Sequence, residues 1–391
     1  MKAGALVAVV VMGDVARSPR MVNHARELAS NGFGVALIGY RGRAFEVPAG
    51  VRVVGLEGGK SAPRGASAGR FALAAGLRMV RLFFALLRAL VREKPGTILV
   101  QNPPSFPTLT AATLAAKLVR AEVIVDWHNY GFSLLALRLG ERHWLTRLSR
   151  WYEFAAGRAA DRHLCVSRAM RDDLRRLAGI EAAVLYDRPV SVSRRGQRVT
   201  GEEPMLAVCP AGWTADEDME LLLDALERMP PCGVTVWITG DGPKRSALAG
   251  RLAELRVKGV LMDTGYLPEA AYRDLVGRAD LGVSLHRSSS GLDLAMKVVD
   301  LFGAGVPVCA LDYGGSLGEQ VEAGVTGYLF RTATDLAELL GHLGRDVPRA
   351  RAELAALGLG VEERWHTLWS AEWRRVVLED PVSCPSDIGV K

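Results

Sequence analysis

The chain has 391 residues, 49% hydrophobic and 24% charged, enough to bury a sizeable core in two domains of ordinary size. A formal net charge of +6 suits an anionic partner such as a sugar nucleotide, a pyrophosphate lipid or a membrane surface. Without a dense basic run and interleaved aromatics, nucleic acid is not an expected partner.

Residues 5–12 read as a buried first strand, too short and without the cleavage site of a signal peptide. The loop after it carries Gly13, Asp14, Arg17, Ser18 and Arg20 at a sheet's carboxyl edge, where ligands usually sit, although Gly-x-Gly-x-x-Gly is missing. A solvated loop explains it equally well. A helix over 21–30 and a strand over 34–40 complete a βαβ unit.

Over residues 69–92, Arg70, Arg78, Arg81, Arg88 and Arg92 fall within an arc of roughly 80° at ~100° per residue. Two readings fit: a core helix with one wet face, or a helix at a membrane interface with arginines on lipid phosphate. No stretch of 18 uncharged residues spans a bilayer here.

Strands over 97–100 and 121–125 end in Gln101-Asn102-Pro103-Pro104 and in Asp126-Trp127-His128-Asn129-Tyr130-Gly131. Acid, imidazole, amide and two aromatics in one loop at a strand's carboxyl end point to function. A strand over 163–167, a helix over 168–177 and a strand over 183–186 close the first half. The aperiodic, polar stretch 188–204 is the expected linker.

The second half restarts with a strand over 205–209. Thr214 and Glu217 read as a capping box, and Asp216 and Asp218 as acids that favour a helix dipole, not as metal ligands. After a strand over 234–239, Gly240 and Gly242 allow backbone to approach a ligand, or simply make a turn. Further strands are expected over 260–263, 279–285, 306–311 and 324–330, with a helix over 335–343. Trp365, Trp369 and Trp373 recur every four residues and read as one terminal helix packed back across both domains. Residues 381–391 read as a frayed tail.

The most informative stretch is 287–310. Its Ser/Gly loop, with Ser290, Gly291, Leu292 and Asp293, leads into a short helix whose free N–H groups suit a diphosphate. Lys297 and Asp300, three apart, share one helical face. A cation for phosphate beside a carboxylate for ribose is the chemistry of a nucleotide-sugar site; an ordinary helix with a solvated pair is the alternative. The fold class expected is α/β, with two Rossmann-like parallel-sheet domains facing a cleft. The domains are 1–187, a linker 188–204, 205–345, helices over 346–380 that cross back, and the tail. The five cysteines, lacking Cys-x-x-Cys spacing, point to reduced thiols in a cytoplasm.

Taken together these segments resemble the family of β-1,4-mannosyltransferases that add the first mannose to chitobiosyl-diphosphodolichol, within the GT-B group of glycosyltransferases. The residues that carry the likeness are Gly13 to Met21, Gln101-Asn102-Pro103-Pro104, Asp126 to Gly131, Trp151-Tyr152-Glu153 and Tyr186-Asp187-Arg188-Pro189. In the second half they are Trp213-Thr214, Asp216-Glu217-Asp218, Ile238 to Pro243 and the stretch from Ser288 to Ala310. Ala295 stands where the family usually has Pro, and Asp241 where it is often basic. The eukaryotic members begin with a membrane anchor, so a chain starting at its first strand looks like a bacterial relative.

The resemblance implies GDP-mannose as donor, a saccharide on a polyprenyl pyrophosphate as acceptor, and inversion to a β-mannoside. It implies a base supplied or positioned by Asp126 or His128, with Asp14 as a third choice. Gly13, Arg17, Ser18, Gly240, Gly242, Ser290, Gly291, Leu292, Asp293 and Lys297 would surround the diphosphate, and Asp300 the ribose. No tightly bound cofactor is implied, and no divalent metal for the diphosphate. Contact through residues 69–92 would place the protein at the inner face of the cytoplasmic membrane. Rival readings are a retaining GT-B enzyme with another sugar nucleotide, a sugar-nucleotide epimerase, and a non-catalytic sugar-nucleotide-binding module.

Overall fold

A computed structural model describes residues 4–42, 45–56, 68–192, 203–214, 217–230 and 232–379. It divides into two compact units, Met1–Tyr186 with Ser370–Lys391, and Asp187–Trp369.

The first unit holds seven strands: β1 (Leu6–Asp14), β2 (Gly34–Tyr40), β3 (Val51–Gly55), β4 (Thr97–Asn102), β5 (Glu122–Trp127), β6 (Arg162–Cys165) and β7 (Ala183–Val184). They pair in parallel in the order β3-β2-β1-β4-β5-β6-β7. The helices are α1 (Pro19–Ser30), α2 (Ala68–Glu93), α3 (Thr108–Val119), α4 (Gly131–Leu139), α5 (Trp144–Gly157) and α6 (Arg168–Ala178). Strand order reverses between β1 and β4, which opens a crevice at their carboxyl ends. Continuous apolar runs such as Val7–Val11 are buried because helices cover both faces of a parallel sheet. Local signals set helix ends: Ser167 Oγ accepts from Met170 N at 3.0 Å, and Gly179 closes α6 in the left-handed region.

The second unit repeats the plan with β8 (Met205–Pro210), β9 (Val234–Thr239), β10 (Leu261–Gly265), β11 (Leu281–Ser284), β12 (Val308–Leu311) and β13 (Gly327–Phe330). Their order is β10-β9-β8-β11-β12-β13, with the reversal between β8 and β11. Its helices are α7 (Met219–Arg228), α8 (Ala249–Lys258), α9 (Glu269–Arg278), α10 (Met296–Gly303), α11 (Ala333–Arg345) and α12 (Val347–Trp365).

Three expectations need correction. The three tryptophans do not share a helix: α12 stops at Trp365, and a separate short helix, α13 (Trp369–Trp373), begins at the next tryptophan. Trp365 stays in the second unit, tilted against Phe302 at 5.2 Å with the Arg188 guanidinium 4.7 Å over its ring. The chain returns to the first unit only from Ser370, so α12 belongs with the second. The expected linker begins inside the second unit, and residues 193–202 and 380–391 lie outside the described residues. Among the described residues no helix is long and apolar enough to cross a membrane.

The second sheet tolerates no side chain at Gly327, where a Cβ would sit 1.9 Å from the Val308 carbonyl oxygen of the neighbouring strand. Gly327→Ala is expected to destabilise by about 1–3 kcal/mol or more, since backbone must move. A urea melt of the variant with an unshifted midpoint would contradict this.

Candidate functional site

In the first unit, the crevice beside β1, β4 and β5 is built around one buried charge. Asp126, at the end of β5, is fully buried. Arg20, in the first turn of α1, donates Nε to Oδ2 and Nη2 to Oδ1, both at 2.8 Å. His24, one turn further along α1, lies with Nε2 3.0 Å from Oδ2. His128 Nε2 lies 2.8 Å from the same oxygen. Burial alone would raise the Asp126 carboxyl, but Arg20 and His128 hold it well below the ordinary carboxylate range. An ionised carboxylate only accepts hydrogen bonds, so both imidazoles present N–H to it.

The tautomers follow from the partners. Trp373 Nε1, a donor only, reaches His24 Nδ1 at 2.8 Å, so that nitrogen carries the lone pair and Nε2 the proton. Burial lowers the His24 pKa and keeps the ring neutral, although Asp126 pulls the other way. His128 directs its Nε2 proton to Asp126, which leaves Nδ1 as the ring nitrogen not engaged by that carboxylate. Its side chain is 20% exposed, whereas Asp126 and His24 are sealed.

Asp126 was expected either to supply or to position the base, and its burial and four donor contacts fit the second of these, with the carboxylate orienting His128. Asp14, the third choice, is engaged by its own loop and by the one after β2: Oδ1 accepts from Ala16 N at 3.2 Å and Gly42 N at 3.3 Å. Gly13 is the penultimate residue of β1, Arg17 is exposed, and Ser18 caps α1 without a side-chain hydrogen bond.

In the second unit the loops after β8 and β9 and the helix after β11 are stitched together around Glu217. This buried side chain takes Gly212 N at 2.7 Å and pairs with the Lys297 ammonium. Lys244 Nζ donates to the Glu217 carbonyl at 3.3 Å. The expected capping box is absent: Asp218 caps α7 by accepting from Leu221 N at 3.2 Å, and Glu217 turns inward to hold Lys297. Asp216 lies outside the described residues. Gly240 and Gly242 serve a different approach from the expected one. A Cβ would lie 1.8 Å from the Ala211 carbonyl oxygen at Gly240, and 2.1 Å from that of Gly212 at Gly242. The glycines let two loops touch each other.

The Ser/Gly loop is internally tied. Asp293 bonds His286 Nε2 at 2.9 Å and also Ser288, while its carbonyl accepts from Tyr313 OH and Ser316 Oγ, both at 2.9 Å. Gly291, at φ 74°, accepts from Ser316 N at 2.8 Å. Leu292 N donates to Ser288 and Ser290 hydroxyls, each at 3.2 Å, so that N–H is already engaged. Lys297 and Asp300 stand on α10 as expected, and Asp300, exposed, accepts from Tyr272 OH at 3.4 Å.

Five side chains organise these sites in ways that sequence reading does not anticipate. Arg20 and His24 are spaced four apart, which puts both on one face of α1, a pattern visible in advance. Trp373 and Glu217 act through contacts remote in sequence or through a turn that capping rules misread. Glu153, buried in α5, accepts from Gly131 N at 2.9 Å, Phe132 N at 3.0 Å and Asn102 Nδ2 at 2.6 Å, fixing the loop that carries His128.

Residues 18–186 match the family described as Glycosyl transferase 4-like domain, and residues 205–346 the one described as Glycosyl transferases group 1. The chain is 33% identical to Chitobiosyldiphosphodolichol beta-mannosyltransferase of Mus musculus, over 95% of this chain and 88% of the relative. It is 32% identical to the UDP-glycosyltransferase TURAN of Arabidopsis thaliana, over 93% and 94%. The solved structure of sucrose-phosphate synthase from Thermosynechococcus elongatus superposes with a TM-score of 0.72 over 96% of this chain and 97% of that one. At 15% identity, that likeness is one of fold alone.

Two outcomes follow from the buried charge. Arg20→Met leaves Asp126 uncompensated and is expected to cost about 3–5 kcal/mol in a denaturant melt, against no change if the pair were dispensable. His24 has a pKa below its ordinary 6.5, so the unfolded chain binds a proton that the folded one refuses as pH falls through 6.5. Stability should therefore drop on going from pH 7 to pH 5, and His24→Gln should flatten that slope. Equal slopes for parent and variant would contradict the assignment.

Proposed function

The chain belongs to the glycosyltransferase family that contains the chitobiosyldiphosphodolichol beta-mannosyltransferases, and from that premise we propose that it moves mannose from GDP-mannose to a lipid-pyrophosphate-linked saccharide, with inversion. The chain is a glycosyltransferase with the GT-B fold. Donor, acceptor and stereochemistry are the proposed part.

The observation that carries the reading is the half-open His128 ring backed by a sealed, ionised carboxylate. Inversion is a single displacement. The acceptor hydroxyl oxygen bonds to the anomeric carbon as the bond from that carbon to the diphosphate oxygen breaks. The bonding pair leaves with the diphosphate as GDP, and His128 Nδ1 takes the hydroxyl proton. Asp126 steadies the imidazolium that forms, as buried carboxylates behind a catalytic histidine do.

The donor roles fall to the second unit. Lys297, held ready by Glu217, and backbone of the Ser290–Asp293 loop would stabilise charge growing on the diphosphate, with Asp300 on the ribose. With these groups no divalent metal is needed for the diphosphate, so turnover should survive a chelator. A sugar nucleotide with another base is the second reading, favoured by the Arabidopsis relative being named a UDP-glycosyltransferase.

A panel of GDP-, UDP- and dTDP-sugars against a chitobiosyl-pyrophosphate lipid, read by mass spectrometry and by NMR of the new anomeric carbon, tests this. GDP-mannose alone should give product, as a β-mannoside; transfer from a UDP-sugar or an α-product would contradict the proposal. Lys297→Ala should lower kcat about 10²–10³-fold with the fold intact, as loss of one charge-stabilising donor does elsewhere. His128→Ala should lower kcat by about 10²–10⁴. Unchanged turnover in either variant would remove that residue from the mechanism.

A further inference from the structure

Helix α4 starts at Gly131, directly after the three-residue loop His128–Tyr130 that follows β5. Helix α5 packs back against it, and Glu153 of α5 clamps the first N–H groups of α4. Residues 131–157 therefore form a helical hairpin rooted on the loop that carries the candidate base.

The outer side of this hairpin is apolar and open. Leu137 and Trp151 are each 67% exposed and Trp144 is 65%, with Leu134 and Leu148 also exposed. Trp144, Leu148 and Trp151 stand at i, i+4 and i+7, one stripe along α5. Two tryptophans left open on a single stripe exceed the scattered apolar exposure normal for a protein surface. Phe106, exposed and edge-on to Tyr152 at 5.4 Å, carries the patch towards α3.

Around the stripe stand Arg138, Arg142, Arg147 and Arg150, and the one exposed acid between residues 131 and 157 is Glu141. A second copy on a two-fold axis would set these arginines against their own kind. An anionic bilayer offers the opposite: headgroup phosphates for arginine, the headgroup level for indole, and the acyl boundary for leucine.

We propose that the hairpin of α4 and α5 is the surface by which this protein lies on an anionic lipid bilayer, with Trp144, Leu148 and Trp151 in the interface. This rests on the lipid-linked acceptor proposed above, and it places the membrane contact not on α2, one of the two readings of that helix's sequence, but on the element that follows the His128 loop. A base presented at the headgroup level meets an acceptor whose pyrophosphate is anchored there. Leu77, Val80 and Phe84 of α2 are also exposed and mark the competing surface.

The test sediments the full chain with phosphatidylcholine vesicles, with and without phosphatidylglycerol, and no acceptor present. Binding should require phosphatidylglycerol. The double variant Trp144→Gln/Trp151→Gln should weaken it by about tenfold or more while keeping the circular dichroism and the transfer to a water-soluble acceptor analogue. Leu77→Gln/Phe84→Gln should bind like the parent. The proposal is overturned if the parent ignores the vesicles or if the hairpin variant binds as well as the parent. It is equally overturned if the hairpin variant merely dissolves a concentration-dependent dimer seen by ultracentrifugation. Failure of the parent to use the soluble acceptor would instead overturn the proposed reaction and leave vesicle binding standing.

Discussion

A carboxylate with no access to water has to be surrounded by donors or be protonated. Asp126 is surrounded, and much of the first unit can be traced to that need. Arg20 and His24 fix the rotation of α1 against the sheet, His128 fixes the turn after β5, and Trp373 fixes the stretch that returns from the second unit's end. Each partner is held because the charge would otherwise be orphaned. A histidine with a defined tautomer at the sheet's carboxyl edge is the functional consequence.

The second unit solves a parallel problem with Glu217. This carboxylate reaches Gly212 N and Lys297, and so ties the loop after β8 to the helix after β11, across the strand-order reversal. The glycines at 240, 242 and 315 allow the neighbouring loops to close on this centre, since a Cβ at Gly315 would lie 1.9 Å from the Gly291 carbonyl oxygen. A preassembled ring of loops would require little rearrangement to meet the diphosphate of the proposed donor, which is how charge stabilisation becomes effective.

Much of this was legible in the sequence. Buried parallel strands announce themselves as short Val/Ile/Leu/Ala runs between glycine-rich turns, and β2 and β9 have the expected ends. The strand β3 was missed because only five residues, with Arg52 among them, form an edge. Helices α4 and α5 were missed because their outward faces carry Leu and Trp, which blurs the 3.6-residue period that separates wet from dry. The candidate residues Asp126, His128 and Lys297 could be named in advance, but their division of labour could not. Which of two neighbouring polar groups is sealed, and which remains open, depends on partners that arrive from positions 20, 24, 217 and 373.

The tautomer of His128 is the hinge of the account, and nitrogen NMR of the ¹⁵N-histidine-labelled protein at neutral pH reads it directly. With the His128 signals identified by their loss in His128→Gln, Nε2 should show a pyrrole-type shift and Nδ1 a pyridine-type one. The reverse pattern would place the lone pair against Asp126, and His128 could then not serve as the base through Nδ1.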